Sequence, residues 1–347
     1  MISDHQDFYN GRRVLIIGGL GFIGSNLAMA MVKLNAKVTL MDSMISAKGE
    51  SFENVTSIQD RVAIHVSDIR DVKRLRNLIH NQEVIFNLAG QVSHIESMRD
   101  PINDLDINCR CQLTLLECCR EANLNARIVY PSTRQVYGRA RYLPVDEQHP
   151  VEPPDVNAIN KLAAEMYSLL YARVYAMQCV CLRLTNTYGP RMDLQNPSLG
   201  FVGVFLKQAM VGEKIRVFGS GKQRRDFNHV SDVVEALLLA GYHRDVVGQS
   251  FNLGGGQPYS IIEFLDVLRG LIGFEYELTP FPEERGSIEI GDYVGDYSRF
   301  RKATGWSPQL ALREGLADTL EYSLAHPRLV SPASPSGTYH PASTLRA

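Results

Sequence analysis

Three glycines at intervals of three, Gly18, Gly21 and Gly24, follow the apolar run Val14-Leu15-Ile16-Ile17. Behind them Phe22, Ile23, Leu27, Ala28, Met31 and Val32 recur at helical spacing, so the segment reads as strand, turn, helix. The chemistry open to such a turn is anion binding. Unpaired amides and the dipole at a helix N-terminus favour a pyrophosphate, and a side chain at Gly18 or Gly21 would stand in its way. The next apolar run, Lys37-Val38-Thr39-Leu40-Met41, ends in Asp42. A carboxylate there can accept hydrogen bonds from the hydroxyls of an adenosine ribose and repel a 2′-phosphate, which predicts NAD rather than NADP. A glycine turn alone can be tight packing; strand, helix and acid in register make it a binding motif.

Positioning these groups requires a parallel sheet. Strands are predicted at Arg61 to Val66, Val84 to Leu88, Ala126 to Tyr130 and Gln178 to Leu184. Helices are predicted between them at Asp71 to Ile79, Asp104 to Ala122 and Ala158 to Tyr175. The alternation implies an α/β, doubly wound parallel sheet with right-handed crossovers. Ligands then lie beyond the carboxyl ends of the strands, which brings Asp68 and Ile69 toward the adenine and Leu88-Ala89-Gly90 toward the nicotinamide half. After Leu184 the strict order loosens. Helices at Phe201 to Met210, Ser231 to Ala240, Ile261 to Leu271 and Leu310 to Leu324 suggest a smaller substrate-binding lobe. Residues 1–185 are thus assigned mainly to the dinucleotide domain and 186–326 mainly to the lobe, with crossing between them allowed. The Ser- and Pro-rich residues 327–347 have too little apolar content to pack and are expected to form a disordered tail.

The 347 residues, 45% hydrophobic, can bury a large core, and 36 Lys plus Arg nearly balance 38 Asp plus Glu. No charge excess points to nucleic acid or a membrane surface. No apolar stretch suits a signal peptide or a bilayer span, so a cytoplasmic protein is expected. Cys109, Cys111, Cys118, Cys119, Cys179 and Cys181 lack the spacing of a metal or redox site and read as small core or interface residues; no metal is expected.

Further strings join the glycine turn and Asp42. They are Ser67-Asp68-Ile69-Arg70-Asp71, Asn87-Leu88-Ala89-Gly90-Gln91, Pro131-Ser132-Thr133 before Val136-Tyr137-Gly138, Lys161-Leu162-Ala163-Ala164-Glu165, Asn186 to Arg191, Arg224-Arg225-Asp226-Phe227, Phe251 to Gly254 and Gly305 to Pro308. In this order, across residues 12–326, they resemble the extended short-chain dehydrogenase/reductases, the NAD-dependent epimerases and dehydratases of nucleotide sugars. The resemblance implies a Rossmann-type domain with a small C-terminal α/β substrate-binding lobe. It implies that NAD contacts Gly18, Gly21, Phe22, Ile23, Gly24, Asp42, Asp68, Ile69, Leu88, Ala89, Gly90 and Lys161. Thr133 would hydrogen-bond the sugar hydroxyl that is oxidised, and Lys161 would hold the nicotinamide ribose. Gln91 and Asn186 would bind a nucleotide-diphosphate sugar, with Arg225 and Arg191 clamping its diphosphate. A homodimer through the helices Asp104 to Ala122 and Ala158 to Tyr175 is also implied.

One departure stands out. The family places a tyrosine one helical turn before the lysine, and here that position is Asn157, whose amide cannot take a proton from a hydroxyl. Lys161 in neutral form, Thr133 through water, His94 or a substrate group could replace the base. Arg134 and Gln135 follow Thr133 where dehydratases carry Asp and Glu, and Ile17 stands where threonine is common. The expected activity is NAD-dependent epimerisation of a nucleotide sugar through a transient keto sugar. The alternatives are an inactive NAD- and nucleotide-sugar-binding protein or a nucleotide-sugar dehydratase.

Overall fold

The apolar runs form a seven-stranded parallel sheet in the computed structural model, which describes residues 4–44, 50–196, 200–281 and 290–330. In chain order the strands are β1 (Arg13–Ile17), β2 (Lys37–Asp42), β3 (Val62–Val66), β4 (Val84–Asn87), β5 (Arg127–Thr133), β6 (Gln178–Leu184) and, much later, β11 (Gln249–Asn252). In space they run β3-β2-β1-β4-β5-β6-β11. The reversal between β1 and β4 opens the crevice that a doubly wound sheet offers a ligand, so the expected α/β architecture is present.

Alternation along each strand explains the two cores. Val14 and Ile16 face one side with Leu27 and Met31 of α2 (Phe22–Lys33) and Leu237 of α9 (Val230–Tyr242). Leu15 and Ile17 face the other with Leu75 of α3 (Val72–Ile79) and Leu115 and Cys119 of α6 (Cys111–Ala122). A parallel sheet covered on both faces needs such continuous apolar strands. All six cysteines are buried and unpaired. β5 runs past its predicted end to Thr133 despite Pro131. The register on the β4 side stops at Val129, so beyond it no β4 partner requires an N–H.

Two helices begin differently from expectation. The helix predicted from Asp104 is α5 (Pro101–Leu105), then a π turn (Asp106–Arg110), then α6; the π turn changes which residues face the crevice, as such bulges do at functional sites. Helix α7 (Val156–Tyr175) starts two residues before the predicted Ala158, because Asp155 caps it by accepting the Ala158 amide at 2.8 Å.

The second lobe has its own core, in which Tyr188, Phe205, Phe227, Phe264, Leu316 and Leu320 pack together. Its pieces are β7 (Asn186–Tyr188), α8 (Phe201–Met210), β8 (Ile215–Phe218), β9 (Arg224–Arg225), β10 (Phe227–His229), β12 (Tyr259–Ser260), α10 (Ile261–Arg269), β13 (Tyr276–Thr279) and α12 (Leu312–Ala325). The chain does cross back. α9 covers the large sheet, β11 pairs with β6, and Phe300 of α11 (Ser298–Thr304) with Trp306 joins the first core. The first residues of the expected tail are packed: Pro327–Leu329 is a short turn whose Leu329 is buried, and Val330 packs on the second core. The rest of that tail, residues 331–347, lies outside the described residues.

Candidate active site

The glycine turn holds the crevice floor. Gly18 takes φ +78°, donates its amide to Met41 at 2.8 Å, and a Cβ on it would stand 2.7 Å from the Ala89 nitrogen. A Cβ on Gly24 would collide with the Gly18 carbonyl oxygen. These two glycines are required by the chain itself. Gly21 is not: its φ is −78° and a Cβ there would meet nothing closer than the Gly18 oxygen at 3.5 Å. Gly21 also leaves the first turn of α2 without a side-chain cap, and no acidic residue occupies that turn. An open, uncapped N-terminus suits a pyrophosphate, so the residues fit a dinucleotide. Phe22 and Ile23 pack against the first core at the start of α2. Asp42 is buried and accepts the amides of Leu20 at 3.0 Å and Met44 at 3.2 Å. Burial raises its carboxyl above the usual range against these amides. Ser67 donates its amide to the Asp42 carbonyl, which brings Asp68 alongside; Asp68 is held below the usual range mainly by Arg70, and Ile69 is buried.

The same floor continues to Lys161. A Cβ on Gly90 would stand 3.3 Å from the Lys161 Nζ and 2.9 Å from the Asn108 Oδ1. Leu88 and Ala89 back the Gly18 turn, so the glycine turn, the end of β4 and Lys161 form one surface. Loss of hydration pushes the Lys161 ammonium down to about 8, with Asp104 pulling the other way. Its Nζ lies 5.9 Å from the centre of the Tyr130 ring.

Asn157 is 1% exposed and does not serve the crevice as an acid or base. Its Nδ2 donates to the Gln91 carbonyl at 2.8 Å and to Asp104 Oδ2 at 3.0 Å, while Asn160 donates to Asp104 Oδ1 at 2.9 Å. Asn108, in the π turn, exchanges hydrogen bonds with the backbone of Gln91 at 3.1 and 3.0 Å. Gln91 is therefore held as a loop hinge from both sides. Its side-chain oxygen turns back onto the Ser93 amide.

His94 opens α4 (His94–Arg99), and its Nδ1 lies 2.8 Å from Asp155 Oδ2. The imidazole is 35% exposed, whereas the Asp155 side chain is fully buried. Burial alone would raise Asp155; the His94 imidazole beside it, the Ala158 amide and the Gln135 side chain hold it below the usual carboxylate range. Gln135 in turn donates its amide to Thr133 Oγ1 at 3.2 Å. The end of β5 and the start of α7 are thereby linked through one carboxylate.

On the lobe side, Asn186 accepts from Arg134 at 3.3 Å and donates to the Asp226 carbonyl at 2.8 Å, so Asn186 and the end of β5 meet. Arg225 is buried and donates to the carbonyls of Arg224 and Gly291. Arg191 is held elsewhere. It donates to Asn54 at 3.0 Å and Asn26 at 3.1 Å and stacks 5.0 Å from the Tyr322 ring. These contacts fasten the lobe to the flank of α2.

Asp104, Asn108 and Asp155 escaped the sequence reading as site residues, and Gln135 entered it only as the position of an absent acid. An Asp two residues ahead of Asn157 is an N-cap signal that could have exposed Asp155. Asn108 depends on the π turn, for which the sequence carries no signal.

A family model described as the NAD dependent epimerase/dehydratase family matches residues 14–254. The putative UDP-glucose 4-epimerase of Methanocaldococcus jannaschii is 32% identical over 309 residues, spanning 87% of this chain and 95% of that protein. Among solved structures, an epimerase from Methanothermobacter thermautotrophicus superposes with a TM-score of 0.87 at 26% identity, covering 95% of this chain and 97% of the other. The Thermotoga maritima UDP-glucose 4-epimerase, solved with UDP-glucose, gives 0.83 at 28% identity, covering 90% and 99%. With a cradle that fits the dinucleotide and a match across most of its length, the chain belongs to the NAD-dependent epimerase/dehydratase family of enzymes, whose cofactor is NAD.

Proposed function

We propose that the protein epimerises a nucleotide-diphosphate sugar by transient oxidation of one sugar hydroxyl to a ketone. The observation that carries this choice over dehydration is the pair after Thr133. Arg134 binds Asn186 and Gln135 binds Asp155, so the two positions that carry the water-eliminating acids in dehydratases hold no acid here. The sugar epimerases among its relatives support the same substrate class. NAD, when bound, supplies reversible acceptance of the substrate's hydride. Gly18, Gly21 and Gly24 give it backbone contact, and Asp42 and Asp68 lie toward its adenosine end. Lys161 reaches the ribose side through Gly90, where its ammonium donates hydrogen bonds and adds positive potential. Thr133 orients the sugar hydroxyl, Asn186 faces the sugar, Gln91, its side chain turned onto Ser93, serves by fixing the loop beside it, and Arg225 is assigned to the diphosphate. Arg191 acts as a bridge between lobe and domain rather than as a clamp.

Incubation of the purified protein and NAD with UDP-glucose, UDP-galactose, UDP-N-acetylglucosamine and CDP- and dTDP-hexoses, followed by anomeric proton NMR, tests this. New anomeric signals of a stereoisomer are the expected result. A 4-keto-6-deoxy product would replace it with dehydration, and tight binding without change with a non-catalytic role.

The reading includes a homodimer. Ile159, Met166, Leu170 and Val174 recur on one exposed stripe of α7, beside exposed Met98, Ile102 and Leu105 of α4 and α5. Leu116 of α6, within the other helix expected at this surface, is fully buried in the sheet core. Sedimentation at micromolar concentration should give twice the chain mass. The buried free cysteines suit a reducing compartment and the cytoplasm, and no described helix is long and apolar enough to cross a membrane.

A further inference from the structure

We propose that His94, oriented by Asp155, accepts the proton of the oxidised sugar hydroxyl in place of the missing phenol. This rests on the epimerase reading above and identifies the group that completes it.

Each other candidate has a competing task. Both amide hydrogens of Asn157 face fixed acceptors, the Gln91 carbonyl and Asp104. Lys161, titrating at about 8, is mostly protonated at neutral pH and is needed in that form as a donor. Thr133 has a hydroxyl too weakly basic to keep a proton.

His94 has a partner that proton transfer can use. A buried carboxylate oxygen stands 2.8 Å from Nδ1, out of line for a hydrogen bond as the ring lies; a turn of the ring onto it places the ring proton on Nδ1 and leaves the Nε2 lone pair available. Imidazole ordinarily titrates nearest neutral pH among side chains. The partly exposed ring sits on the helix that follows the β4 loop, and this loop carries Gly90 and Gln91. Asp155 ties the ring to the sugar end of β5 through Gln135 and Thr133, and to Lys161 by capping α7. Other charges near the ring are already engaged. On its own helix Glu96 pairs with Arg99 at 2.9 Å, and on α5 Asp104 is held by Asn157 and Asn160.

As the carbinol C–H bond breaks, its hydrogen leaves with the electron pair as the hydride that NAD, when bound, would accept. The O–H bond breaks and its proton passes to Nε2, directly or across one water, while the C=O bond forms. The imidazolium then faces the Asp155 carboxylate. Return of hydride to the opposite face, with the proton from Nε2 to oxygen, restores every atom and inverts the carbon.

The test compares wild type, His94→Gln, His94→Ala and Asp155→Asn with NAD and the nucleotide sugar that wild type converts. Single-turnover appearance of reduced nicotinamide absorbance is followed against pH, with NAD titration and melting as controls and ¹⁵N NMR of labelled histidine in the free protein. His94→Gln should lower the rate at neutral pH by about a hundred- to ten-thousand-fold while NAD affinity and melting are kept. Its loss should shrink as pH rises and hydroxide replaces the base, and imidazole should restore His94→Ala. In the free protein Nδ1 should carry the proton, and Asp155→Asn should shift that signal and lower the rate less than His94→Gln. An unchanged rate and pH profile in His94→Gln, or a free-protein spectrum with the proton on Nε2, overturns this assignment alone. Wild type that reduces no NAD with any sugar overturns the epimerase reading, and this assignment with it.

Discussion

The two walls of the crevice are built by different rules. The cofactor wall works through backbone: Gly18 and Gly24 are glycines because neighbouring main chain leaves no room, while Gly21, which the chain itself does not require, leaves the start of α2 open. The opposite wall works through side chains on the first turn of α7 and the loops facing it. There Asn157 is a structural amide, bonded to the Gln91 carbonyl and Asp104, and the proposed proton acceptor is a neighbour, His94. At Gly18 and Gly24 the backbone site tolerates no side chain without losing its shape. A side-chain site can be rewired while its scaffold stays.

The sharpest attempt to break this contrast is Lys161→Met, the position where the two walls meet. Turnover should fall by about a thousand-fold or more, while NAD still binds through the glycine turn with reduced affinity; steady-state rates and a cofactor titration would show both. On the cofactor wall, Gly24→Ala should cost about 1–3 kcal/mol of stability because its Cβ meets main chain. Gly21→Ala should leave melting unchanged yet weaken NAD about tenfold. Equal melting losses in both would mean the turn is only packing. On the opposite wall, Asn157→Ala deprives buried Asp104 of one of its two amide donors. A loss of about 1–3 kcal/mol in denaturant unfolding is expected, with NAD affinity retained.

The smallest effect concerns pH. Lys161 titrates at about 8 when folded and at its ordinary 10.5 when unfolded. Between these values the unfolded chain binds more protons, so this group's contribution to stability grows as pH rises and is lost as pH falls through about 8. The difference in unfolding free energy between wild type and Lys161→Met should therefore shift in favour of wild type across that window.

The parallel sheet could be read from the sequence because strands buried on both faces must be continuous apolar runs, and the glycine turn because backbone constraints leave a residue-type signature. Lys161 and Thr133 are legible only through the family resemblance of the strings around them. The pairing of His94 with Asp155 joins two residues far apart in the chain, and no local pattern reports such a contact. Arg191 and Arg225 carry the same chemistry in the sequence, yet one fastens α2 to the lobe and the other, on β9, is buried and donates to the Gly291 carbonyl. Only packing separates them. The π turn conserved helical periodicity closely enough to pass for an unbroken helix, which hid Asn108.

The return of the chain from the lobe to the sheet makes the protein one folding unit despite its two cores. A fragment ending near residue 185 would lack β11, leaving β6 as an unpaired edge, and would lack α9, exposing Phe86, Val129 and Leu182 on one sheet face. Such a fragment would aggregate rather than yield a free NAD-binding domain. Exchange of the lobe between relatives therefore cannot be a simple cut and join: a graft must preserve α9, β11 and α11 with the sheet and replace the pieces between them. Substrate range in this architecture is accordingly expected to change by substitution within the lobe and not by its wholesale transfer.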